Sequence, residues 1–170
     1  MHGRAGMKIG IISDTHGLLR PEVFDAFAGV EHVLHAGDVG SADILTELVA
    51  LAPVTAVWGN TDGWDVRERV PEMARVTLGG VQVAVVHGHR LSAARPGPAA
   101  EAFADAGLVV FGHSHQPVIE QVGGVLAVNP GSAGPRRFRG PVTVAIAEIS
   151  DGRVTAHLVP LLRGDAASSE

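Results

Sequence analysis

The chain is 170 residues long and 46% hydrophobic, which supplies one sizeable core and leaves little room for a second domain. It contains no cysteine, so disulfides, thiolate catalysis and sulfur-ligated metal clusters are excluded, and any transition-metal site must draw on imidazole, carboxylate and amide donors. A formal net charge of −5 without a long basic run argues against duplex DNA as the main partner, whereas a small anionic substrate remains compatible because bound metal reverses the local field.

Residues 1–6 lack the apolar centre of a signal peptide and read as an N-terminal extension, with Met7 a natural start before the first strand. No apolar run approaches the ~20 residues of a membrane-spanning helix, so a cytoplasmic protein is expected. Residues 8–12 form an apolar run too short for a helix and end at Ser13-Asp14-Thr15-His16-Gly17, as a strand feeding a polar loop does. Pro21 opens a short helix with Val23, Phe24 and Phe27 on one face, and residues 32–35 give a second strand ending at Ala36-Gly37-Asp38. Ser41 caps a helix running through Ala50, and residues 54–58 make a third strand ending at Gly59-Asn60-Thr61-Asp62. This β-α-β-α-β rhythm predicts right-handed crossovers and a largely parallel sheet, with ligands gathered beyond the carboxyl ends of its strands.

After Arg75 the rhythm changes. Residues 76–78 and 81–86 read as a hairpin around Gly79-Gly80 that ends at His87-Gly88-His89. A helix over residues 98–106 follows, then a strand over 108–111 leading into Gly112-His113-Ser114-His115. Residues 118–122, 125–128, 142–149 and 154–159 complete a strand-rich second half, with turns at Gly123-Gly124 and Asp151-Gly152. Two packed sheets with helices outside them are expected, in one domain over residues 7–160, with residues 161–170 a flexible tail.

Five separated apolar runs end in potential metal ligands: Asp14 with His16, Asp38, Asn60, His87, and His113 with His115. In extended backbone the i, i+2 spacing aims both members of each pair the same way, so each pair can reach one site. Adjacent glycines permit the tight turns that crowded metal loops require.

Six motifs occur in order: Asp14-Thr15-His16, Gly37-Asp38, Gly59-Asn60-Thr61-Asp62, His87-Gly88-His89, Gly112-His113-Ser114-His115 and Asn129-Pro130-Gly131-Ser132. Over residues 7–159 the chain thereby resembles the calcineurin-like metallophosphoesterases, in particular their small bacterial and archaeal phosphodiesterase branch related to the retromer scaffold subunit. The resemblance implies an α/β fold, a four-layer αββα sandwich of two packed mixed β-sheets flanked by helices. It also implies that Asp14, His16 and His115 hold one divalent metal, that Asn60, His87 and His113 hold the other, and that Asp38 lies between them. Mn2+ is the metal it favours, and the donor set also suits Ni2+, Fe2+, Co2+ or Zn2+. Two such ions can hold a bridging hydroxide as nucleophile and neutralise charge on the phosphoryl oxygens. The larger phosphatases carry His-Asp or His-Glu after the asparagine, where this chain has Thr61-Asp62. Without that histidine, good leaving groups such as aryl phosphates are expected to react best, and Asp62 and His89 are the candidates to assist catalysis.

Asn60 and Arg136 are candidates to bind substrate. The run Arg136-Arg137-Phe138-Arg139 reads either as the entrance for an anionic substrate or as a solvated turn. His2, His32, His35 and His157 are expected to be structural, with His35 supporting the Asp38 loop. Trp58 is expected in the core, and Trp64 packed under the Asn60 loop or stacked on an aromatic leaving group. The leading expectation is a phosphodiesterase acting on small phosphoesters, with a phosphomonoesterase or a metal-binding scaffold as alternatives and a homo-oligomer left open. An amidohydrolase barrel is disfavoured by length, since that fold takes typically ~250 residues.

Overall fold

The computed structural model describes residues 6–91, 93–136 and 140–162. The expectations for residues 1–5, for Arg137 and Arg139, and for residues 163–170 of the tail lie outside the described residues. The first half alternates β1 (Met7–Ile12), α1 (Pro21–Ala26), β2 (His32–His35), α2 (Ala42–Val49), β3 (Val54–Ala56) and a one-turn α3 (Trp64–Arg67). The second half runs β4 (Met73–Leu78), β5 (Val81–Val86), α4 (Pro96–Ala102), β6 (Leu108–Val110), β7 (Val118–Val122), β8 (Val125–Asn129), β9 (Thr143–Ser150) and β10 (Arg153–Pro160).

These strands form two mixed five-stranded sheets. In the first, ordered β10-β9-β1-β2-β3, the three βα strands are parallel and β9 runs antiparallel to both β1 and β10. In the second, ordered β4-β5-β6-β8-β7, a parallel trio β5, β6 and β8 is edged by antiparallel β4 and β7. Ile9 and Ile11 of β1 meet Val83, Val85, Leu108 and Val110 between the sheets, while Ile12 faces α1 and α2 through Val23, Phe27 and Leu48. On the far side α4 seats Ala99, Ala100 and Phe103 against Val109 and Phe111. The layers are therefore helix, sheet, sheet, helix. Strands covered on both faces have no polar side to show, which is why β1 and β6 read as unbroken apolar runs.

Several element boundaries differ from expectation. Phe24 is 37% exposed because successive helical residues turn by about 100°, so Val23 and Phe27, four apart, share the buried face without it. The β2–β3 ladder stops at His35↔Ala56, two residues before the expected end of β3, because the chain then turns at Gly37 into the Asp38 loop. Helix α4 starts at Pro96 and not at residue 98, proline being well suited to the first helical turn. The single turn of α3 is too short to leave a periodic signature. Leu161, expected to lie in the tail, is buried, and its N–H donates to the Val142 carbonyl at 2.9 Å.

Gly10 faces α1, and a Cβ there would lie 2.9 Å from the Phe27 ring. Replacing a strand glycine with alanine ordinarily stabilises by about 0.5–1 kcal/mol, so the sign of the effect tests this contact. Gly10→Ala is expected to destabilise by about 1–3 kcal/mol in urea denaturation, and Phe27→Leu in the same chain should recover part of that loss. A stabilised Gly10→Ala protein would contradict the packing.

Candidate metal centre

The candidate ligands sit immediately beyond parallel strands: Asp14 and His16 after β1, Asp38 after β2, Asn60 after β3, His87 after β5, and His113 and His115 after β6. Both sheets thus contribute loops to one end of the sandwich. The backbone in these loops is not extended. Asp14, His16, Asp38, His113 and His115 all have positive φ, between 45° and 71°, and they are five of the six non-glycine residues that do so among the described residues. His113 and His115 depart from the expectation that an i, i+2 pair serves one site, since they diverge, whereas Asp14 and His16, with the same left-handed backbone, stay together.

The donor atoms of Asp14, His16 and His115 lie within 4.8 Å of one another, and those of Asp38, His87 and His113 form a second such group. The groups adjoin. His16 Nε2 is 3.3 Å from His115 Nε2, and Asp14 Oδ1 is 3.3 Å from His115 Nε2 and 3.9 Å from His87 Nε2. Asp38 Oδ2 is 3.1 Å from His87 Nε2 and 3.8 Å from His16 Nε2, so one carboxylate oxygen addresses both groups. The other, Oδ1, is committed to the Thr61 N–H at 2.9 Å. Asn60 is exposed in the adjoining loop, between Gly59 and Thr61.

The arrangement has the character of a cation site. Asp14 Oδ2 accepts from Ser13 Oγ and from the His113 N–H, but its buried Oδ1 has no hydrogen-bond donor. His87 Nδ1 lies 2.8 Å from the Ala36 carbonyl, which assigns the ring proton to that nitrogen. Its buried Nε2 then presents a lone pair toward Asp14 Oδ1 and Asp38 Oδ2, and no hydrogen bond satisfies it. Buried acceptors that confront one another are costly unless positive charge lies among them, and nitrogen and carboxylate donors suit a borderline divalent ion. The titration behaviour agrees. Burial opposes ionisation of Asp14, yet His115, His16, His87 and Ser13 hold its carboxyl far below the ordinary range. Asp38, likewise against its burial, is lowered to about 2 by His87 and the Thr61 N–H. Burial alone would lower the His87 pKa, but Asp38 and Asp14 outweigh it and raise it.

The remaining candidates fall outside the two groups. Both oxygens of Asp62 accept backbone N–H groups, from Val39, Gly40 and Gly59, and the side chain is buried. Its carboxylate is thereby engaged with loop backbone, outside both donor groups. His89 stacks beside Trp58 at 5.7 Å and near His87 at 5.5 Å, with Nε2 3.9 Å from Glu72, and burial lowers its pKa. Trp58 packs against the core as expected, with the Arg67 guanidinium 4.1 Å over its ring. Trp64 is 75% exposed, so it does not pack under the Asn60 loop. Arg136 borders an open cavity of about 390 Å³ whose wall also includes His113, His115, Gln116 and Pro141.

Sequence reasoning undervalued the supports. Asn129 donates to the Gly112 carbonyl and to Ser114 Oγ, and Ser132 Oγ donates to the Asp14 carbonyl, so the Asn-Pro-Gly-Ser segment fastens two ligand loops. Behind Asp38, the Gly37 N–H donates to His35 Nδ1 at 3.1 Å, so His35 carries its proton on Nε2 and donates to Thr15 Oγ1 at 3.0 Å. Thr15 in turn donates to the Val39 carbonyl at 2.8 Å. The other structural histidines lie apart, His32 against Thr55 and His157 on the outer strand β10.

Comparison with known proteins now becomes decisive. The family model described as the calcineurin-like phosphoesterase superfamily domain matches residues 7–152. The chain belongs to this superfamily. It is 37% identical over 164 residues to a probable metallophosphoesterase of Methanothermobacter thermautotrophicus, covering 90% of this chain and 92% of the relative. It is 34% identical over 145 residues to a phosphodiesterase of Methanocaldococcus jannaschii, covering 74% of this chain and 83% of that one. Its fold is that of vacuolar protein sorting 29 from Cryptosporidium parvum, at a TM-score of 0.76 and 19% identity, over 91% of this chain and 97% of the other. No helix among the described residues of this calcineurin-like chain is long and apolar enough to cross a membrane.

The hydrogen-bonded His35 can accept no further proton without turning an N–H against the Gly37 N–H. Burial accordingly lowers its pKa to about 4, from an ordinary value of 6.5. Unfolded chain binds a proton on passing below pH 6.5 and folded chain does not, so stability falls between pH 6.5 and 4, by up to about 3 kcal/mol, and levels off below. In urea denaturation of the metal-stripped protein, the loss between pH 7.5 and 4.5 should be smaller for His35→Asn than for wild type. Equal losses would remove His35 as the cause.

Proposed function

We propose that this chain is a dinuclear-metal phosphodiesterase acting on small phosphate esters. The observation that carries the reading is the pair of adjoining donor groups with confronting, unsatisfied acceptors, Asp14 Oδ1 and His87 Nε2, in a chain of the calcineurin-like superfamily. In this reading Asp14, His16 and His115 would hold one ion, Asn60, His87 and His113 would hold the other, and Asp38 would serve both. Two divalent cations there would supply an acidified water as nucleophile and neutralise charge on the phosphoryl oxygens. Manganese is preferred on the family resemblance, within a donor set that also accepts nickel, iron, cobalt or zinc.

The chain's own residues orient this chemistry. Ala36 fixes the His87 tautomer, Thr61 fixes one oxygen of Asp38, and Ser13 with the His113 N–H fixes one oxygen of Asp14, leaving in each case a single free donor atom for metal. Asn60, exposed beside this centre, and Arg136, on the cavity wall, are the candidates to touch substrate. A diester is preferred over a monoester because a relative at 34% identity is a phosphodiesterase. His89 is the remaining candidate to assist the leaving group, and in its absence esters of acidic phenols react best.

The test is hydrolysis of bis(p-nitrophenyl) phosphate beside p-nitrophenyl phosphate, by stripped protein reloaded with manganese. Two manganese ions per chain, turnover that requires them, faster diester than monoester hydrolysis, and a loss on the order of a hundredfold or more in Asp38→Ala are expected. Faster monoester turnover would reverse the substrate assignment, and metal-free chain that binds no manganese would end the dinuclear reading.

A further inference from the structure

We infer that Asp62 is a positioning residue, whose carboxylate ties the Asp38 loop to the Asn60 loop and so sets where Asp38 stands between the two donor groups. The inference rests on the dinuclear reading above. Beyond His35↔Ala56 the β2–β3 ladder ends, and little regular pairing holds the two loops together. Asp62 supplies the missing link. Its Oδ2 accepts from the Val39 N–H at 3.1 Å and from the Gly59 N–H at 2.8 Å, one from each loop, and its Oδ1 accepts from the Gly40 N–H at 2.8 Å.

Asp38 is the residue enclosed by this tie. Its chain neighbour Val39 is held from one side, and its own Oδ1 receives the Thr61 N–H, from the residue preceding Asp62. Asp62 is fastened in turn, since its N–H donates to the Gly59 carbonyl and its carbonyl accepts from Arg67 Nε at 2.8 Å. A proton donor to the leaving group must touch that group, whereas this carboxylate is 4% exposed and spends both oxygens on backbone amides. Only a carboxylate meets the demand. An asparagine of the same shape has one acceptor oxygen and an NH2 group, so at least one of the three N–H groups would face another donor.

The decisive variant is therefore Asp62→Asn, compared with wild type in manganese affinity and in hydrolysis of aryl phosphodiesters whose leaving phenols range from p-nitrophenol to phenol. Positioning predicts manganese binding weakened by roughly 10–100-fold and a loss of kcat/KM by the same factor for every phenol. A loss that grows steeply as the phenol becomes less acidic would make Asp62 a proton donor and overturn the inference, as would unchanged affinity and activity. A second measurement needs no variant. In metal-free wild type the Val39, Gly40 and Gly59 amides should exchange with solvent slowly, and rapid exchange at all three in folded protein overturns the inference even where Asp62→Asn does not fold. Failure of wild type to bind manganese would instead count against the dinuclear reading and leave the exchange result standing.

Discussion

The structure depends on the confrontation of two buried carboxylates, Asp14 and Asp38, across a ring of histidines at the shared end of two sheets. Neither carboxylate is spread evenly over its partners. One oxygen of each is held by hydrogen bonds and the other is left facing imidazole nitrogens, with Asp14 Oδ1 unsatisfied altogether. In the metal-free chain the positive charge that this geometry requires can come only from protons on the histidines, which is the sense of the raised His87 pKa. A divalent ion would meet the same requirement with more charge, and the two donor groups are the candidate places for it.

That organisation stores strain. Five of the converging residues hold left-handed backbone, at roughly 1–2 kcal/mol each for a residue with a Cβ. The sum is on the scale of the ~5–15 kcal/mol by which whole domains are stable, so the loops cannot hold themselves. Three sets of hydrogen bonds hold them instead: the His35–Thr15–Val39 relay, the backbone amides gathered on the Asp62 carboxylate, and the donations of Asn129 and Ser132 to loop carbonyls. Close approach adds to these. At Gly112 any Cβ would collide with Ser13 and Asp14, so glycine there lets the His113 loop lie directly on the carboxylate it borders.

How much of this was legible in the sequence follows from what each feature leaves behind. Strands buried on both faces leave continuous apolar runs, so β1 and β6 stood out, and the largely apolar β2 and β5 with them, each followed by a polar loop that carries residues of the donor groups. Phe24 was misplaced because it is apolar yet one residue off the Val23–Phe27 face, a distinction that a six-residue helix barely encodes. The separation of His113 from His115 was illegible from spacing alone, since the expected shared direction assumes extended backbone and these loops are left-handed. The resemblance to a known family, which carries backbone geometry that spacing does not, assigns them to different ions. Asp62 and Thr15 were hidden for a different reason: side chains that bond to backbone amides and carbonyls impose no pattern on the residues they hold. Trp64 was misjudged by its type, a large apolar side chain being expected to pack, whereas a residue opening a one-turn surface helix has little to pack against.

The two donor groups are also where the two sheets are joined. Asp14, His16 and Asp38 come from loops of the first sheet, and His87, His113 and His115 from loops of the second, yet each donor group takes members from both. Neither group is therefore complete on one sheet. Their internal distances follow the registry of the sheets, which is set by the interdigitated layer of Ile9, Ile11, Val83, Val85, Leu108 and Val110. A fold of this kind can be shared at 19% identity with a vacuolar sorting protein, because the layer asks only for apolar volume of the right shape. The chemistry asks for more, since each donor group must bring together atoms carried by two different sheets. The hydrophobic core between the sheets thus acts as part of the site, and the likeness of fold alone does not carry the function.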